Sequence, residues 1–94
     1  MAKFKFHGTL QNHLPARELF VDGHRTVAES LAVIADAHPA LKASIYENGH
    51  NRLHEYIIVV LNDEQVEFLD DGLDTRLSDD DTVQVFPPVS GGVG

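Results

Sequence analysis

Residues 3–6 alternate Lys-Phe-Lys-Phe, the period of two expected of a strand with one buried face. Gly8 and then Asn12 to Pro15 interrupt it. Arg17 to Val21 forms a second extended candidate, which Asp22-Gly23 closes with a turn signal. The two strands are close enough in sequence to pair as a hairpin with a long loop. Thr26 opens a helix, since Thr26 and Glu29 have the spacing of a capping box. Val27, Leu31, Ile34, Ala35 and His38 fall at i, i+4, i+7, i+8 and i+11 and give that helix one mostly apolar face. Pro39 stops it, because the residue before a proline is pushed out of helical geometry. Ala40 to Tyr46 predicts one more short helix with Leu41 and Ile45 facing inward, ended by Glu47-Asn48-Gly49.

The second half reads as strands and turns. Tyr56 to Leu61 is a run of six apolar, largely β-branched residues. It predicts a strand buried on both faces, or nearly so. Asn62-Asp63 turns the chain, and Gln65 to Leu69 predicts a short returning edge strand. Leu73 to Leu77 is a single irregular turn and Ser78 to Asp81 a polar loop. Thr82 to Phe86 is the last strand, and Pro87-Pro88 ends all pairing, since neither can donate a ladder hydrogen bond. One main helix laid across one mixed sheet, an α+β fold, is the simplest arrangement that buries these faces. The expected division is a body over residues 1–86 and an extended tail over 87–94.

Composition narrows the function. The chain has 94 residues, enough for one core but not for a deep cleft between two lobes. Its formal net charge is −8, from 15 acidic and 7 basic residues. Such a surface repels nucleic-acid phosphates and anionic lipid heads, and either favours a partner with a basic patch or simply keeps the chain in solution. No run approaches the roughly 20 apolar residues that span a bilayer, and the N-terminus does not read as a signal peptide. Neither nucleic acid nor membrane is therefore an expected partner, and the cytoplasm is the expected compartment. There is no cysteine, so any sulfur chemistry uses sulfur brought from outside.

No catalytic constellation stands out. Ser30, Ser44, Ser78 and Ser90 lack the Gly-x-Ser-x-Gly spacing of a nucleophile elbow. Ser30 falls within the helix, where a solvated or backbone-bonded hydroxyl is the usual outcome. Among six histidines only His50 and His54 have a ligand-like separation, with no third ligand evident, so no metal site is expected. Asp70-Asp71 and Asp79-Asp80-Asp81 do not follow a calcium-loop pattern. The terminal Gly91-Gly92-Val93-Gly94 feeds no helix and so is not a phosphate cradle.

The tail carries the strongest signal. Pro87-Pro88 favours stiff, extended backbone, and from Pro87 to Gly92 it reaches roughly 18 Å at about 3.1 Å per residue. Ser90, Gly91 and Gly92 are slim enough to thread a narrow channel.

Phe86-Pro87-Pro88-Val89-Ser90-Gly91-Gly92 resembles the C-terminal signature of the small subunit of molybdopterin synthase, and is similar to that of small archaeal ubiquitin-like modifiers. Leu61-Asn62-Asp63-Glu64-Gln65-Val66-Glu67-Phe68 resembles a segment of the sulfur-carrier protein of one bacterial cysteine-synthesis route. The likeness continues from Leu73 through Arg76 and Asp81 to Val83. The chain is thus similar to the MoaD/ThiS-like sulfur carriers over essentially its whole length.

The resemblance implies a ubiquitin-like β-grasp fold, with the first and last strands parallel at the centre of the sheet. It implies a carrier or substrate protein rather than an enzyme, binding no cofactor of its own. An E1-like adenylating enzyme of the ThiF/MoeB type would use ATP to activate its terminal glycine. The acyl-adenylate would become a thiocarboxylate that serves a sulfur-accepting synthase, or would pass to a lysine as an isopeptide. By that match Gly92 is the reactive glycine and Gly91 its partner, while Phe86, Pro87, Pro88, Val89 and Ser90 seat the tail on the activating enzyme. Val93-Gly94 departs from the pattern, because it holds the Gly92 carbonyl in a peptide bond. Trimming between Gly92 and Val93 is the favoured reading, with a JAMM-type metalloprotease as the agent the family implies. Use of the Gly94 carboxylate, or a blocked chain that only binds, are the alternatives. The rival functions are a modifier conjugated through Gly92, with Lys3, Lys5 and Lys42 as candidate linking sites, and a non-reactive interaction domain that uses an exposed sheet face.

Overall fold

A computed structural model describes residues 1–47 and 52–88. Strand β1, Ala2–Phe6, follows its sequence alternation: Ala2, Phe4 and Phe6 are buried, and Lys3 and Lys5 half-exposed. β2, Glu18–Val21, returns antiparallel to it, with Phe4 opposite Leu19 and Lys3 opposite Phe20. The loop between them is not open chain. It winds into a 3₁₀ helix, Gly8–His13, that buries Leu10.

The capping box forms as the spacing predicts. The Glu29 amide donates to Thr26 Oγ1 at 3.1 Å, and the Thr26 amide donates to Glu29 Oε1 at 2.9 Å. The bond from the Thr26 backbone is the main reason the Glu29 carboxyl lies below its ordinary pKa. Helix α1, Val27–Ala37, buries Val27, Ser30, Leu31, Ile34 and Ala35. His38 breaks it, and Pro39 opens α2, Pro39–Ile45, which turns Leu41 and Ile45 inward. Proline suits that first helical position, where its missing N–H would have no intrahelical partner.

β3 is shorter than its apolar run. It spans Ile58–Leu61, while Tyr56 sits in a turn, 64% exposed. Nor is it buried on both faces: Val59 and Leu61 are buried, whereas Ile58 and Val60 are half-exposed. The physical reason is that the helices and the core occupy one side of the sheet. The other side is open, and its apolar residues there are partly wet. β4 is only Glu64–Gln65. The edge strand expected to run to Leu69 instead coils into a 3₁₀ turn, Val66–Phe68, because burial of Val66 draws the chain under the sheet. A second such turn, Gly72–Asp74, begins one residue before the segment from Leu73 to Leu77 that reads as irregular in the sequence, and overlaps its start.

β5, Thr82–Phe86, closes the fold. The strand order is β2-β1-β5-β3-β4. β5 runs parallel to β1 and antiparallel to β3, so the first and last strands share the centre. This is the ubiquitin-like β-grasp fold. Phe4, Phe6, Leu31, Leu41, Ile45, Val83 and Val85 form the heart of its core, each at most 1% exposed. Truncating such a phenylalanine to alanine costs about 3–5 kcal/mol.

Ser30 departs from expectation. Its hydroxyl is neither solvated nor bonded to backbone. It is fully buried and has no hydrogen-bond partner among the described residues.

Candidate functional site

The central strand β5 delivers the tail. Val83 and Val85 point into the core, which fixes the strand's depth and twist. Gln84 and Phe86 therefore project onto the open face. There Gln84 lies between Lys5 and Val60, and Phe86 lies opposite Ile58. Pro87 and Pro88 follow, the first half-exposed and the second exposed. Neither carries an amide proton, so both ladders stop at Phe86.

Side chains take over where the ladders end. The His7 amide donates to the Val85 carbonyl at 3.0 Å, the last rung on the β1 side. The His7 ring lies flat on Phe86, with centroids 4.4 Å apart and planes 6° apart. His7 Nε2 sits 2.9 Å from Gln84 Oε1, a contact that places the ring proton on Nε2 when the amide oxygen faces it. Gly8 then turns the chain away with a φ of +58°. A Cβ at Gly8 would lie 2.9 Å from Pro87 Cγ, so glycine leaves the space in which the proline sits.

Of the expected tail residues, the structure thus seats Phe86 and Pro87 against the body and leaves Pro88 exposed. Val89, Ser90, Gly91, Gly92 and Val93 lie outside the described residues. His7 and Gly8 were not singled out from sequence as part of this site. The signal was available, since parallel pairing of the first and last strands sets the residue after β1 beside the end of β5.

The open face around the root carries both charge and apolar area. Lys3 and Lys5 approach Glu18 at 3.9 and 3.7 Å, exposed pairs worth no more than about 1 kcal/mol. Ile58, Val60 and Phe86 add apolar surface beside them. A cleft of about 170 Å³ opens between Lys5, His7, Gln11 and Arg17. On the helix side of the sheet a larger groove, about 540 Å³, runs between α1 and the Tyr46–Leu53 bridge. Burial, with a smaller contribution from Asp36, pushes the Tyr46 phenol in this groove above its ordinary pKa.

The serines form no reactive centre in the geometry described. Ser44 Oγ lies 3.1 Å from His13 Nε2, but its own proton goes to the Ala40 carbonyl at 2.9 Å. The contact ties the first 3₁₀ helix to α2. Ser78 Oγ bonds Asp81, and Ser90 is outside the described residues. His54 donates its backbone amide to Ile45, while His50, the other half of the candidate pair, lies outside the described residues. Among the described residues, no group of three or more metal-ligating side chains is gathered, and no helix is long and apolar enough to cross a membrane.

Comparison with known proteins places this geometry. The model of the ThiS family matches residues 4–92. Small archaeal modifier protein 3 of Haloferax volcanii is 32% identical over 92 residues, spanning 96% of this chain and 97% of that protein. The solution structure of small archaeal modifier protein 1 from Methanosarcina acetivorans has a TM-score of 0.85 and 33% identity, covering 97% of this chain and 95% of that one. A chain of the Amycolatopsis orientalis BexX/CysO complex has a TM-score of 0.78 and 29% identity, covering 98% of this chain and all of that one, 100%.

Proposed function

The chain belongs to the ThiS family of small ubiquitin-like carriers and modifiers, and on that footing we propose that it is a sulfur carrier activated at Gly92. The observation that carries the reading is the delivery of Phe86-Pro87-Pro88 from the central strand. A body that ends its ladders at Phe86 and hands on a proline-stiffened segment supports a protruding, reactive tail.

The chemistry has three steps. Hydrolysis of the Gly92–Val93 peptide bond, by a JAMM-type metalloprotease, frees the Gly92 carboxylate. A carboxylate is a poor electrophile, so an E1-like enzyme of the ThiF/MoeB type lets it attack the α-phosphate of ATP. Pyrophosphate leaves and an acyl-adenylate forms. A sulfide equivalent then displaces AMP and leaves a thiocarboxylate at Gly92. That sulfur is nucleophilic and stays on the chain until a sulfur-accepting synthase takes it, and the protein needs no cysteine of its own. Gly91, Ser90 and Val89 thread the channel, while Phe86, Pro87 and Pro88 set its approach. The carrier contributes the substrate group, and catalysis belongs to its partners.

A second reading has a specific observation behind it. The Haloferax relative is named as a modifier, and the same adenylate passed to a lysine amine would release AMP and form an isopeptide. Intact-mass analysis of protein from its native host separates the two. Loss of Val93-Gly94 with one oxygen replaced by sulfur supports the carrier. Gly-Gly remnants on lysines of other proteins support the modifier. A chain left uncleaved and unmodified under all growth conditions overturns both.

A further inference from the structure

We infer that His7 is a positioning residue for the reaction at Gly92: its ring, stacked on Phe86, aims the root of the tail at the activating enzyme. The inference rests on the reading of Gly92 as the activated residue.

The argument starts from what the backbone no longer does. Beyond Phe86 neither neighbour strand can hold the chain, because Pro87 and Pro88 donate nothing. A root held by one peptide bond would sweep a wide cone, and an entering tail would then lose that freedom on binding. Three contacts of one residue restrict the cone. The His7 backbone is fixed by its bond to Val85. Its ring torsion is fixed by Gln84. The ring face, so held, lies parallel to Phe86. Gly8 completes the seat by giving Pro87 room on the β1 side.

The alternative uses of a histidine fit less well. Nε2 is engaged by Gln84, and the ring is covered on one face by Phe86. Lys5, Arg17 and Glu18 line the cleft beside it, and no histidine or second carboxylate there completes a ligand set or a relay among the described residues. The residue governs posture rather than bond making. Its loss therefore affects how readily the carrier is captured, not the step that follows capture.

An ordering contact of this kind shifts the ready population by roughly three- to ten-fold. The test uses carrier ending at Gly92, with the adenylating enzyme of the host, ATP and pyrophosphate exchange as the readout. His7→Ala is expected to raise the carrier's KM about three- to ten-fold with kcat held within about two-fold. His7→Phe keeps the stack without the Gln84 bond and should recover most of the loss. Melting temperatures confirm that each variant is folded. Should His7→Ala fail to fold, His7→Leu fills similar volume without an aromatic plane and replaces it. NMR on the full chain gives a readout independent of activation. The heteronuclear NOE at the Phe86 amide should fall in the Ala or Leu variant and return in His7→Phe. Unchanged KM and unchanged NOE in a folded variant overturn the inference, as does equal impairment by His7→Phe. If unmutated, trimmed carrier is not adenylated at all, the reading of Gly92 fails instead, and the NMR comparison still decides whether His7 orders the root.

Discussion

A methyl group on Gly8 would stand 2.9 Å from Cγ of Pro87, and Gly8 itself holds a φ of +58°. The turn that ends the first strand and the proline that begins the tail therefore share one small volume. Any side chain at position 8 meets two separate penalties, a left-handed backbone and a crowded Cβ.

Gly8→Ala should accordingly destabilise the fold by about 1–2 kcal/mol from backbone strain alone. In a domain of this size that lowers Tm by roughly 5 °C or more. Gly8→Asn separates the two penalties, because asparagine tolerates the left-handed region but still carries a Cβ. Thermal unfolding should rank the three chains Gly, Asn, Ala. Shifts of the Pro87 ring protons should move in both variants. Equal melting of all three would show that the left-handed turn is not maintained.

Ser30 makes the opposite prediction. Its hydroxyl is buried in the middle of α1 without a partner among the described residues, and leaving such a group unpaired costs about 1–3 kcal/mol. Alanine removes that cost and is also the better helix former. Against this stands the loss of one oxygen's packing. Ser30→Ala should raise Tm by about 4–8 °C, the equivalent of about 1 kcal/mol. A lower Tm would mean that the hydroxyl has a partner in solution, a buried water being the simplest.

What was legible in the sequence follows from the range of the forces involved. Thr26, Glu29 and Pro39 act on backbone within a few residues, so the limits of α1 could be read directly. Lys3 to Phe6 and Thr82 to Phe86 alternate along central strands with one wet face, and the period of two was visible there. The run from Tyr56 to Leu61 misled, because an apolar run does not reveal whether a second layer covers it. Val66 misled as well, since its burial, a tertiary effect, overrode the extended pattern of the edge. The tail residues were recognisable by type and order. Their seat was within reach only through the parallel β1–β5 pairing that the resemblance implies, because His7 and Gln84 are 77 positions apart and no local pattern joins them.

Asn62 and Asp81 supply a test by pH. Asn62 turns the chain after β3 with a φ of 58°, and its Nδ2 donates to Asp81 Oδ1 at 3.1 Å. Asp81 also accepts from the Ser78 amide at 2.8 Å. Partial burial works against its ionisation, but the bonds from Ser78 and Asn62 outweigh that and hold the carboxyl below its ordinary value of 3.8. A pKa lowered by folding means that the folded state favours the ionised form. The resulting stability is complete above about pH 3.8 and is lost as pH falls through the folded value. Asp81→Asn should cost roughly 1 kcal/mol at neutral pH, discounted for its exposure. The gap between variant and parent should then close as the acid limb is descended. A gap in denaturant-derived stability that stays constant between pH 7 and about pH 2 would remove Asp81 as its source.

Gly92→Ala addresses the chemistry and not the fold. The buried hydrophobic residues described run from Ala2 to Val85, so Tm should remain that of the parent. The proposed channel is another matter. A glycine admits backbone approach that a Cβ obstructs, and a misplacement of about 1 Å at a reacting centre costs about 10²-fold in rate. Carrier prepared to end at the new alanine should therefore show pyrophosphate exchange reduced by about that factor, while its body still binds the adenylating enzyme. Exchange at the parental rate would mean that the enzyme does not grip the last residue closely. The slimness of Ser90-Gly91-Gly92 would then need a different cause, such as access for the proposed trimming protease.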